Sequence, residues 1–133
     1  MSISSKTALA ATLCATLWAL GPAAAQTPSP AGAKVYIINL KDGDTVTSPF
    51  KVQFGLTGMG VAPAGVEKPN TGHHHLLIDT TLTAEQLKGA IPADDTHKHF
   101  GGGQTEAMVT LPKGQHTLQL VSATGRTFRM CRR

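Results

Sequence analysis

Usable cysteine is what this sequence most clearly lacks. Its 133 residues hold two cysteines, Cys14 in an apolar N-terminal stretch and Cys131 near the end. If the N-terminal stretch is removed, Cys131 has no intrachain partner, which excludes a disulfide scaffold. Charge is also sparse, with 15% charged residues, and aromatics make up only 5%. The formal net charge of +4 comes largely from Arg126, Arg129, Arg132 and Arg133; between Gln26 and Gly125 seven lysines face eight acids. A near-neutral body with a basic tail excludes the basic stripe that a nucleic-acid partner requires. Beyond the first twenty residues there is no long apolar run, so no stable membrane insertion is expected once that stretch is cleaved.

The N-terminus has its own logic. Lys6 precedes an apolar core from Ala8 to Leu20, then Gly21-Pro22, then Ala23-Ala24-Ala25-Gln26. The core is too short to span a bilayer, Gly-Pro ends it, and small residues precede the break. A signal peptide over 1–25 is expected, and with it a periplasmic or secreted location. Residues 26–33, rich in Pro, Gly and small side chains, form a flexible lead-in.

What remains is one domain, expected over 34–121, and its pattern is that of strands. Lys34–Leu40 is β-branched and aromatic and runs into the turn Lys41-Asp42-Gly43-Asp44. Phe50–Leu56 alternates apolar with polar or small residues. Residues 58–70 carry too many Gly and Pro for a regular element, and Gly72–Asp79 reads as a central strand. Thr83–Lys88 fits one or two helical turns capped by Thr83 or Thr81. Thr105–Leu111 and His116–Val121 alternate around Pro112-Lys113-Gly114-Gln115, which predicts a hairpin and places Met108 in the core. Five short strands with almost no helix predict an all-β, immunoglobulin-like sandwich.

The chemistry concentrates in histidine. Five of the six histidines form two clusters, His73-His74-His75 and His97-x-His99. On a strand His73 and His75 share one face and His74 takes the other, so the two H-x-H pairs can meet and offer three or four imidazoles. Imidazole suits copper(II), zinc or nickel, and Asp79, Asp94, Asp95 or Glu106 could complete a site. The expected ligands are His73, His75, His97 and His99, with His74, Asp79 and His116 as further candidates; Met59 and Met108 are weaker ones. The bland alternative has these histidines hydrogen-bonding to backbone carbonyls, with His74 in the core and its neighbours half exposed. Nucleophilic catalysis finds no support, because neither Ser48 nor Ser122 sits in an elbow motif. Gly101-Gly102-Gly103 lacks the Gly-Lys-Ser/Thr sequel of a phosphate loop.

Gly72-His73-His74-His75-Leu76-Leu77-Ile78-Asp79, His99-Phe100-Gly101-Gly102-Gly103-Gln104-Thr105-Glu106 and Leu111–Leu120 together resemble a family of small exported bacterial domains of unknown function. The resemblance covers Ala33 to Val121. Members continue with a Gly-Asp turn, a Pro-His-x-Pro-Pro loop and a last strand, whereas this chain ends in the basic tail 122–133. Codons for Phe128–Arg133 exist whose shifted frame reads Pro-His-Val-Pro-Pro, so the resemblance implies a frameshifted or truncated C-terminus and a missing last strand. Two functions follow as expectations. The leading one is a non-enzymatic exported domain that binds copper or zinc; the alternative is an envelope module that binds a polysaccharide or protein and uses its histidines structurally.

Overall fold

The computed structural model describes residues 29–87, 89–124 and 127–131, of which 124 and 127–131 are described by their backbone. The expected signal peptide, the lead-in up to residue 28, and Arg126, Arg132 and Arg133 lie outside these residues.

The described chain is a small all-β sandwich. The strands are β1 (Lys34–Ile37), β2 (Phe50–Thr57), β3 (Gly60–Val61), β4 (Thr71–Ile78), β5 (His97–Phe100), β6 (Glu106–Val109), β7 (Leu118–Thr124) and β8 (Thr127–Cys131). One sheet has the order β1-β2-β6; the other runs β3-β4-β7-β8, with β5 also paired to β4. Every pairing is antiparallel except β3 with β4.

Alternation places the core. Val52 and Phe54 of β2, Leu76 and Ile78 of β4, and Leu120 of β7 point between the sheets and join Val35 and Val109 in one cluster. Burying a side chain of this size stabilises the fold by about 1.5–3 kcal/mol. The opposite face of β4 is covered as well: Leu77 packs with Val121 of β7 and with Leu82 and Ile91 from the segment after β4. A strand buried on both faces needs no polar alternation, which is why Leu76-Leu77-Ile78 runs apolar without interruption.

Four expectations are corrected. Residues 122–124 continue β7, and Thr127–Cys131 pairs with it as β8, so a strand lies where the last one was expected to be missing. The alternating tail sequence suits an extended strand, and β7 supplies the free edge. Residues 112–115 do not close a hairpin, because β6 pairs with β2 in one sheet and β7 with β4 in the other. Met108 is 62% exposed, since Ala107 and Val109 take the inward positions of β6. The segment 58–70 includes the two-residue strand β3, held against β4 by backbone hydrogen bonds from Gly60 N to Asn70 O and from Ala62 N to Gly72 O. The turn expected at Thr83 forms with Thr83 as its cap: Thr83 N donates to Gln86 Oε1, Gln86 N donates to Thr83 Oγ1, and Leu87 N donates to the Thr83 carbonyl oxygen.

Candidate metal centre

Strand pleat divides the three consecutive histidines of β4. His74 faces the core, fully buried against the Phe54 ring at a centroid distance of 5.3 Å. Its Nδ1 stands 3.2 Å from the Gln104 carbonyl oxygen, to which it can donate, and its Nε2 is buried without a protein partner. Burial pushes its pKa down, and the Gln104 carbonyl partly opposes that shift. The core is where the alternative reading placed this residue.

His73 and His75 project from the other face, where their Nε2 atoms lie 3.0 Å apart. They are not half exposed: His73 is 9% and His75 4% accessible. The ladder sets His99 of β5 directly opposite His75, with the two rings stacked at 4.7 Å and 6°. The His73 and His99 ring centroids are 4.9 Å apart. One nitrogen from each of the three imidazoles falls within 4.8 Å of the others, and no carboxylate or thiol joins this group among the described residues.

The electrostatics favour neutral rings. Burial, followed by the neighbouring His99 and His74, lowers the His73 pKa to about 4. Burial, then His73, His99, His74 and His97, lowers that of His75 to about 3. Both therefore hold lone pairs at neutral pH, the form that coordinates a metal. Two nitrogens bound to one tetrahedral ion at about 2.0–2.1 Å stand roughly 3.3 Å apart, close to the observed Nε2–Nε2 separation.

His97 does not join them. It lies opposite Leu77, on the far side of the His75–His99 pair from His73. The four residues from His73 to Leu77 amount to about 13 Å of strand at ~3.3 Å each, too far for one ion to draw on both His73 and His97. The His97 Nδ1 is instead 3.0 and 3.1 Å from the two Asp94 carboxylate oxygens. That donor holds the Asp94 carboxyl below its ordinary range, with help from Thr96.

The remaining candidates are engaged elsewhere. Asp79 accepts from His116 Nδ1 at 2.7 Å and from the Thr117 backbone N–H at 2.7 Å, which braces the end of β4 to the start of β7. His116 Nε2 lies 3.0 Å from the Pro112 carbonyl oxygen. Asp95 pairs with Lys98, and Glu106 with Lys51 on the other sheet.

Gly101 is the site residue that sequence reasoning missed. A Cβ there would lie 2.7 Å from His99 Nε2 and 3.3 Å from the Ala64 methyl, so the imidazole occupies space that any other residue would fill. Its signal was present, a glycine two positions after His99 and hence on the same side of an extended segment.

A family model described as a domain of unknown function (DUF4399) matches residues 52–131. No curated protein and no solved structure matches.

Proposed function

Since the chain belongs to the DUF4399 family, whose description assigns no activity, we propose from the site itself that it is an exported, non-enzymatic domain that binds copper(II) or zinc through His73, His75 and His99. The observation that carries this reading is the 3.0 Å approach of the His73 and His75 Nε2 atoms beside His99. Three imidazoles from two adjacent strands make a donor set that suits both ions. A purely structural role accounts for His74 and His116, each of which sets one ring nitrogen against a backbone carbonyl. It does not account for three imidazoles gathered on one face without a carboxylate among them. Export rests on the pattern of residues 1–25 and carries the domain to the periplasm or beyond.

Calorimetric titration of the full chain with copper(II) and with zinc, beside a His73→Ala/His75→Ala variant, tests the site. One ion per chain, lost in the variant, is the expected result. Equal weak binding by both chains overturns the reading.

A further inference from the structure

The three histidines occupy three corners of a square on the sheet face. His75 and His99 are ladder partners, His73 follows two residues from His75, and the fourth corner, two residues beyond His99, is Gly101. That corner has no side chain and cannot readily acquire one, because its missing Cβ would meet the His99 ring at 2.7 Å. The further imidazole on this stretch of β5, His97, is held by Asp94 two residues from His99, in the opposite direction from His73. Asp79 and Glu106 are committed to His116 and Lys51. His99 itself is exposed, so the cluster opens to solvent on its β5 side.

We infer that an ion held by His73, His75 and His99 keeps one solvent-facing coordination position, and that this position takes a small anionic donor from outside the chain. The inference rests on the metal-binding reading above. Three protein ligands with one open position is the arrangement of exchangeable rather than closed structural sites. The charge balance selects the class of the fourth ligand: imidazole ligands bring no charge to a metal, so a divalent ion keeps its full double charge beside buried side chains, and a monodentate anion reduces that charge without moving the protein.

Copper(II) and azide are the probes. The full chain is loaded with one equivalent of copper(II), followed by electron paramagnetic resonance, and titrated with azide while the azide-to-copper charge-transfer band is read. A saturable band with a changed copper signal, retained in His97→Ala and lost in His73→Ala/His75→Ala, is the expected result. Copper that binds through histidine but gives no azide band overturns the open position while leaving metal binding intact. An azide-free copper signal that changes in His97→Ala overturns it as well, since His97 would then fill the fourth place. A chain that takes up no copper removes both readings.

Discussion

His73 and His75 place their Nε2 atoms 3.0 Å apart on one face of β4. Two neutral imidazoles at that distance share one proton between them, so one ring donates and the other accepts. A metal ion replaces that hydrogen bond with two coordinate bonds, and the consequences of this exchange can be measured.

Binding to the folded state alone stabilises it. At an ion concentration a hundred times the dissociation constant the gain is about 2.7 kcal/mol. Zinc or copper(II) is therefore expected to raise the melting temperature of the chain, and His99→Ala is expected to reduce the rise while leaving the metal-free melting temperature nearly unchanged, because His99 is exposed. Differential scanning calorimetry with and without metal checks this. An undiminished rise in His99→Ala would remove that residue from the ligand set.

Without metal, the same pair is expected to make the fold acid-labile. Folded His73 and His75 titrate near pH 4 and 3, against about 6.5 in the unfolded chain. Between about pH 6.5 and 4 the unfolded state binds more protons, so stability falls as pH falls, by up to about 1.4 kcal/mol per pH unit for each group. Urea unfolding at pH 7.5, 6 and 5 reads the slope. His73→Ala/His75→Ala is expected to flatten it.

The Asp79–His116 pair has a different pH window. Hydrogen bonding to Asp79 raises the His116 pKa, and the same bond lowers that of Asp79. The His116 contribution is complete below about pH 6.5 and is lost as pH rises through its raised folded value. The Asp79 contribution is complete above about pH 4 and is lost as pH falls through its lowered one. Both ring nitrogens of His116 face acceptors, the Asp79 carboxylate and the Pro112 carbonyl, which suits the imidazolium with its two donors. NMR titration of the His116 ring is expected to give a midpoint above 6.5 that drops in Asp79→Asn.

Gly101→Ala is expected to weaken metal binding without unfolding the chain. The added methyl displaces the exposed His99 ring and leaves the core untouched. Gly72→Ala is expected to act in the opposite way: its Cβ would lie 2.5 Å from the Ala123 carbonyl oxygen, against the backbone of β7, so pairing and stability suffer together. Affinity and urea midpoint, measured on both variants, separate the two effects.

Leu76→Ala tests the core. Leu76 is fully buried between the sheets, and truncation of such a residue costs about 2–5 kcal/mol. Equilibrium unfolding with an unchanged m-value is the expected signature.

The alternation of Phe50, Val52 and Phe54 with Lys51 and Gln53 determined β2, and the spacing of His73 and His75 determined that they share a face while His74 takes the other. These features are local, because the pleat of an extended chain fixes each side chain's face relative to its neighbours wherever the strand finally lies. The clustering of histidine and the all-β class were legible for the same reason. Tertiary structure decided the rest: that His99 and not His97 stands opposite His75, that β6 and β7 belong to different sheets, that Met108 faces solvent, and that the tail pairs with β7. Register and sheet membership are set by which distant strands meet, and a one-residue slip would send every histidine of β5 to the other face. No short-range pattern in His97-Lys98-His99 carries that choice; it comes from the packing of residues far apart in the chain.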